Sequence, residues 1–236
     1  MMSKSKTPVP AAGDEDIASF LAKVQNLPPA SRQAGSRGRL IFAMDATMSR
    51  QPTWDRALAI QSQMFAETGR IGGLDVQLVY FRGFNECRAS KWVSDPDSLA
   101  RIMTKVECRG GNTQIGRVLS HIKREAAQSK VSAAVYAGDA LEENIDALCK
   151  AAGEIGLAGV PIFMFQENGD PAAEHGFREI ARLTRGAYFR LDAAAPGLLR
   201  ELLTAVAVYA AGGRPALAEH SKSRGGAAVL LLEQIK

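Results

Sequence analysis

Short apolar runs alternate with helix-patterned segments from residue 39 onward, and this feature constrains the fold most strongly. The first run, residues 39–44, is almost wholly apolar, as expected of a strand that is buried on both faces of a parallel sheet. Residues 113–127 instead carry apolar side chains at i, i+3, i+4 and i+7, which is typical of a helix with one buried face. Repeated alternation of this kind indicates an α/β fold.

Six strands and six helices are predicted by the pattern. The strands are residues 39–44, 75–81, 87–93, 131–137, 160–166 and 187–191, and the helices are residues 53–68, 97–106, 113–127, 144–157, 172–184 and 196–210. The link at residues 83–86 is too short for a crossover connection, so the third strand must be antiparallel to the second. We therefore expect a doubly wound, Rossmann-like, mostly parallel sheet of six strands, with one antiparallel edge strand and helices on both faces.

Three segments are predicted along the chain. Residues 1–38 form a tail rich in Ser, Lys, Pro and Ala, with a short amphipathic helix near residues 14–27 and a linker, and its first part is expected to be disordered. Residues 39–211 form the folded domain. Residues 212–236 have no place in the alternation and are predicted to be a C-terminal tail.

Charge and hydropathy exclude several classes of protein. Residues 1–39 carry six Lys and Arg against three Asp and Glu, and residues 211–236 carry four against two, so the net charge of +4 resides in the terminal segments. A nucleic-acid binder would concentrate basic charge on its folded domain. No apolar run approaches the ~20 residues of a membrane-spanning helix, and the N-terminus lacks the apolar region of a secretory signal. We expect a cytoplasmic protein that binds neither nucleic acid nor membrane.

Motifs for enzymatic chemistry are missing. The sequence contains neither the G-x-x-x-x-G-K-[ST] loop of nucleotide hydrolases nor a G-x-G-x-x-G turn after the first strand. It also lacks a nucleophile elbow. Its three cysteines show no paired spacing, so a zinc site is not expected. We expect all three to be reduced thiols. We predict that the protein is not an enzyme and has no catalytic residues.

Polar residues gather where three predicted strands or loops end. Asp45, Thr47 and Ser49 stand at alternate positions directly after the first strand, Thr113 follows a Gly-Gly-Asn turn, and Asp139 ends the fourth strand. In a doubly wound sheet such loops meet at the carboxyl ends of the strands, where strand order reverses. Two carboxylates and three hydroxyls form an all-oxygen set that suits Mg²⁺ or Mn²⁺.

The order Asp-x-Thr-x-Ser, then Thr, then Asp resembles the metal-ion-dependent adhesion site of von Willebrand factor A domains. The resemblance covers roughly residues 39–210 and implies that Asp45, Thr47, Ser49, Thr113 and Asp139 hold the metal. It also implies a binding module whose metal captures an acidic residue of a protein partner. Proteins of this family often serve in ATPase or chaperone-like assemblies, which the resemblance offers as the setting of the partner, although no residue of this sequence selects one.

Two alternative functions remain at this point. Thr47 stands where the family usually has Ser, and Ala140 where it commonly has Gly. A scaffold of the same fold that has lost its metal and binds partners by surface contacts alone is therefore one alternative. The other is a haloacid-dehalogenase-like phosphotransferase, which also places Asp after a buried first strand. That family carries a second Asp at the position of Thr47, where it acts as general acid.

Overall fold

A computed structural model of the chain describes residues 37–69, 72–191 and 196–235, so the helix and linker predicted before residue 37 lie outside the described part. Its strands are β1 (Gly38–Asp45), β2 (Leu74–Arg82), β3 (Glu86–Ala89), β4 (Ala133–Gly138), β5 (Ile162–Glu167) and β6 (Tyr188–Leu191). Its helices are α1 (Gln51–Thr68), α2 (Pro96–Met103), α3 (Ile115–Gln128), α4 (Ile145–Leu157), α5 (Pro171–Leu183), α6 (Pro196–Arg224) and α7 (Ala227–Gln234).

The six strands form one sheet in the order β3-β2-β1-β4-β5-β6. All neighbouring strands are parallel except β2 and β3, which pair as an antiparallel hairpin at one edge. The predicted fold class is therefore confirmed. Chain order reverses between β1 and β4, so the loops that leave these two strands diverge and open a crevice at their carboxyl ends.

Alternating side chains of β1 face two separate apolar clusters. Leu40, Phe42 and Met44 contact the cluster that contains residues of α1, α2, α6 and α7. Ile41 and Ala43 contact the cluster formed with α3, α4 and α5. Helices thus cover both faces of the sheet, as predicted, and burial of each large apolar side chain contributes about 1.5–3 kcal/mol.

The third strand is shorter than predicted. Residues 87–93 were expected to be extended, but the regular ladder ends at Ala89 and resumes only as a single bridge between Val93 and Val76. The side chain of Ser90 explains the break, because its Oγ accepts the N–H of Leu78 at 3.0 Å where a strand carbonyl would otherwise lie.

Residues 212–235 are helical, which differs from the tail predicted there. Helix α6 continues through them to Arg224, with a break at Gly213, whose φ of 72° and ψ of −167° are not helical. Leu217 and Leu231 are fully buried in the apolar cluster of α1, α2 and α6. Burial of these side chains accounts for the order of a segment that has no place in the strand–helix alternation.

The end of the described chain also contacts the sheet. Gln234 Oε1 accepts the backbone N–H of Tyr188, in β6, at 2.9 Å. Arg214 Nη1 donates to the carbonyl of Ile235 at 2.8 Å, which ties α7 back to the second part of α6. Among the described residues, no helix has both the length and the apolar character needed to cross a membrane.

Candidate functional site

All five predicted metal ligands lie on loops or strand ends at the carboxyl edge of the sheet. Asp45 is the last residue of β1, Thr47 follows it, and Ser49 lies in a short 3-10 turn before α1. Asp139 directly follows β4, the strand that pairs with β1. Thr113 lies in the loop before α3.

Asp45 is held in place by the backbone of its own loop. The residue is 2% exposed, and its Oδ1 accepts the N–H of Thr47 at 2.7 Å, as Asp side chains do in tight turns. Between them, Ala46 donates its N–H to the carbonyl of Phe81 and accepts from the N–H of Arg109, both at 2.9 Å. The first predicted ligand therefore stands on backbone that is fixed on two sides.

Hydrogen bonds join the hydroxyls of this loop to the second predicted carboxylate. Thr47 Oγ1 lies 3.3 Å from Ser49 Oγ, and Ser49 Oγ donates to Asp139 Oδ2 at 3.1 Å. Asn168 Nδ2, after β5, donates to the same Asp139 oxygen at 3.4 Å. The structure thus brings Thr47, Ser49 and Asp139 into contact with one another.

The contacts of Thr113 run to a neighbouring loop. Its N–H donates to Glu142 Oε2 at 2.8 Å, and its Oγ1 accepts the N–H of Glu142 at 3.1 Å. This reciprocal pair fixes the loop of Thr113 against the loop that begins at Asp139. A hydroxyl oxygen has two lone pairs, so acceptance of one N–H leaves capacity for a second ligand or a metal.

The next acid, Glu143, caps helix α3. Its two carboxylate oxygens accept the N–H groups of Ile115 and Gly116 at 2.5 and 2.8 Å. The first N–H groups of a helix have no partner within the helix, and the positive end of the helix dipole, which lies there, favours a carboxylate. Glu142 and Glu143 together therefore connect the β4–α4 loop to the start of α3.

A third acid at the strand ends forms an ion pair with an arginine. Glu167, the last residue of β5, accepts from the hydroxyl of Thr53 and lies 3.3 Å from Arg56 Nη2. Arg56 also donates to Thr53 Oγ1 at 3.2 Å. This group of three lies on β5 and α1, beside the loops of Asp45 and Asp139.

A paired arginine fixes the hairpin at the other side of the crevice. Arg82, at the end of β2, forms two hydrogen bonds with Glu86 and donates to the carbonyl of Glu107 at 2.7 Å. The bonds from Arg82 lower the pKa of Glu86 below its ordinary value, so this carboxylate keeps its charge to a lower pH than a free glutamate does.

The donor set fits a hard divalent cation. It contains only carboxylate and hydroxyl oxygens, the ligands that Mg²⁺ and Mn²⁺ favour. Among the described residues, no three groups drawn from His, Cys, Asp and Glu come together that could hold a metal ion. Any metal at this site would therefore depend on the hydroxyls of Thr47, Ser49 and Thr113 as well as on its two carboxylates.

Sequence reasoning missed the contributions of Asn168, Glu142 and Glu143. Asn168 follows β5, which lies beside β4 in the sheet. A prediction of that strand order would have placed the loop of Asn168 next to Asp139. Glu142 and Glu143 are adjacent acids on the loop of Asp139, a pattern that reads as a solvated surface. Only the folded loops show that both accept backbone N–H groups.

Comparison with known proteins bears on the fold. No protein-family model and no curated protein matches the sequence. Among solved structures, the von Willebrand factor type A protein from Catenulispora acidiphila is similar, with a TM-score of 0.58 and 16% identity over 74% of this chain and 43% of that chain.

Two further structures extend this likeness. The VWA domain of SpRpn10 has a TM-score of 0.54 and 12% identity over 66% of this chain and 88% of that one. The pilus adhesin SpaC from Lactobacillus rhamnosus GG has a TM-score of 0.56 and 10% identity over 75% of this chain and 31% of that one. With its strand order and its one antiparallel edge strand, the described chain has the fold of a von Willebrand factor A domain.

Proposed function

We propose that the protein is a metal-dependent protein-binding module, and that Asp45, Thr47, Ser49, Thr113 and Asp139 bind Mg²⁺ or Mn²⁺. The hydrogen-bonded group of Thr47, Ser49 and Asp139 carries this proposal. Its oxygen separations are 3.3 and 3.1 Å. An octahedral site with metal–oxygen distances of about 2.1 Å has neighbouring oxygens about 3 Å apart. The side chains are thus spaced for shared coordination.

Charge balance determines what the bound metal would attract. Two carboxylates, Asp45 and Asp139, match the two positive charges of the ion, and the hydroxyls add none. Because the hydroxyls are neutral donors, the metal would remain electrophilic at its open coordination position, which suits an incoming carboxylate from a partner. The proposed chemistry is capture of an acidic residue, with no covalent bond formed or broken.

Exposed apolar side chains beside the site favour a protein as the partner. Met48 lies between Thr47 and Ser49 and is 66% exposed, and Phe84, on the β2–β3 turn at the same end of the sheet, is 74% exposed. Methionine and aromatic residues are enriched in the buried centres of protein interfaces. One of the proteins with a similar structure, SpaC, is a pilus adhesin.

Metal titration is the first test. Calorimetry with Mg²⁺ and Mn²⁺ should show one weak site, with zinc binding no more tightly. Asp45→Ala should remove the site, and Thr47→Val, which keeps the side-chain shape but lacks the hydroxyl, should weaken it. Asp97→Ala changes an exposed acid on α2 and serves as the matched control. An equal loss of affinity in Asp97→Ala would contradict the assignment.

Capture of a partner is the second test. The purified protein should retain a partner from native cell extract in Mg²⁺, and both EDTA and Asp45→Ala should release it. Mass spectrometry would then show whether the partner belongs to an ATPase or chaperone-like assembly, and substitution of one acidic residue on it should abolish capture. Capture that persists in both EDTA and Asp45→Ala would favour the metal-free scaffold. Ester hydrolysis that is lost in Asp45→Asn would favour the phosphotransferase.

A further inference from the structure

A second candidate binding site lies between the edge strand β3 and helix α3. The two elements enclose an open cavity of about 360 Å³, to which Cys87 and Arg88 contribute from β3. Arg117, Ser120, His121 and Arg124 contribute from α3. None of the five predicted metal ligands lines this cavity, and none of the described residues in its lining is an acid.

Helical spacing explains why the polar residues of α3 share this cavity. Residues 117, 120, 121 and 124 follow the i, i+3, i+4, i+7 pattern that places side chains on one face of a helix. That face lies opposite β3, while the apolar positions of α3, such as Val118 and Ile122, are buried in the core. The fold thus turns a basic face of α3 toward the edge strand.

The three guanidinium groups differ in how they are held. Asn85 accepts two hydrogen bonds from Arg117, at 2.7 and 3.0 Å, which orient this guanidinium and leave other N–H groups available. Arg88 pairs with Glu86 at 2.9 Å, but Glu86 is also held by Arg82. Arg124 has no hydrogen bond or ion pair within the described residues. The cavity therefore carries an excess of positive charge.

Neutral side chains lie beside the arginines, and their hydrogen bonds run within the protein. The Nε2 of Gln77 donates to the carbonyl of Ser90 at 3.1 Å, which turns its Oε1 toward His121 Nε2 at 2.8 Å. His121 Nε2 therefore carries the proton and is the donor. Burial lowers the pKa of His121, so the ring is neutral at pH 7 and adds no charge of its own.

We propose that this cavity binds a phosphate group, either as a free phosphate compound or on the phosphorylated side chain of a peptide. Guanidinium groups match phosphate oxygens with paired, charge-assisted hydrogen bonds. The three guanidinium groups of this cavity together favour a dianion over the single negative charge of a carboxylate. The cavity volume is at the lower end of the range of about 300–1,000 Å³ for small-molecule sites, so it accommodates the phosphate together with part of the molecule that carries it.

Titration with two probes tests the proposal. Calorimetry at low salt and in EDTA would use inorganic phosphate and a phosphoserine peptide, with the unphosphorylated peptide as reference. Binding of inorganic phosphate or of the phosphoserine peptide should weaken by about tenfold or more in Arg124→Gln, since one charge-assisted interaction is lost. Tighter binding of the peptide would identify a phosphorylated side chain as the source, and equal or tighter binding of phosphate would identify a free compound.

Matched variants distinguish phosphate binding at this cavity from nonspecific attraction to positive surface charge. Arg101→Gln removes an exposed arginine of α2, outside the cavity, and should leave phosphate affinity unchanged. Asp45→Ala should also bind phosphate as the wild type does, so this result is independent of the proposed metal site. Circular dichroism would verify the fold of Arg124→Gln. The proposal is overturned if the wild type does not bind phosphate at millimolar concentration, or if Arg101→Gln loses as much affinity as Arg124→Gln.

Discussion

Carboxylates at the carboxyl edge of the sheet perform different tasks, and their hydrogen-bond partners distinguish them. Asp139 accepts from side chains, Ser49 and Asn168. Glu143 accepts from the backbone of α3. Glu167 pairs with Arg56. Both oxygens of Glu143 are occupied by N–H groups of α3, so this residue should contribute mainly to stability, whereas the metal-site proposal concerns Asp45 and Asp139.

Glu143→Gln should lower the free energy of unfolding by about 1–2 kcal/mol, because the amide loses one of two acceptor oxygens and the charge that complements the helix dipole. Urea denaturation followed by circular dichroism measures the change. Glu107→Gln, at an exposed position, is the control and should change stability by less than about 0.5 kcal/mol. Equal stability of the two variants would show that the cap of α3 contributes little.

Single residues of the site were predictable where they follow a buried strand. Asp45, Thr47 and Ser49 stand out because polar side chains at alternate positions come directly after an apolar run. The contacts of Glu142 and Glu143 were not predictable, because they join residues that are 27 to 29 positions apart through the conformations of two loops. No local pattern specifies such a pairing.

At the scale of elements, the loop before α3 is positioned by the β2–β3 turn. Gly111 packs against the backbone of Gly83, and a Cβ at residue 111 would overlap the carbonyl of Gly83. The N–H of Asn112 donates to the same carbonyl at 3.2 Å. The close approach of these two loops sets the position of Thr113, two residues farther along the chain.

Gly111→Ala should therefore destabilise the protein by about 1–3 kcal/mol, as expected when a side chain is forced into a packed contact. It should also weaken Mg²⁺ binding, because displacement of the loop moves Thr113. Gly110→Ala is a matched control, since a Cβ there meets nothing within 4 Å. Thermal unfolding and calorimetry would measure both effects. A Gly111→Ala protein as stable as Gly110→Ala would show that the loop can shift freely.

At the scale of the whole molecule, the alternation of strands and helices was sufficient to predict the number of strands, the antiparallel edge and the helices on both faces. It was insufficient for residues 212–235, because additional helices that pack against the same apolar cluster add no strand to the pattern. The break at Gly213 and the apolar residues beyond it, such as Leu217 and Leu231, are the local signal of these helices.

Leu231→Ala should lower the free energy of unfolding by about 2–5 kcal/mol, because this side chain is fully buried and its loss leaves a cavity. Its neighbour Leu230 is 47% exposed, so Leu230→Ala should cost less than about 1 kcal/mol. Urea denaturation of the two variants gives a direct comparison. If both changes cost the same, α7 is not part of the cooperative core.

The hydrogen bond between Gln234 and the N–H of Tyr188 also bears on solubility. Strand β6 is the last of the sheet, and its outward-facing N–H groups are a template on which another chain can pair and aggregate. The side chain of Gln234 accepts a hydrogen bond from one of these N–H groups, that of Tyr188. A shortened protein that ends before residue 227 would leave this strand open to such pairing, so fragments prepared for biophysical work should retain residues 227–235.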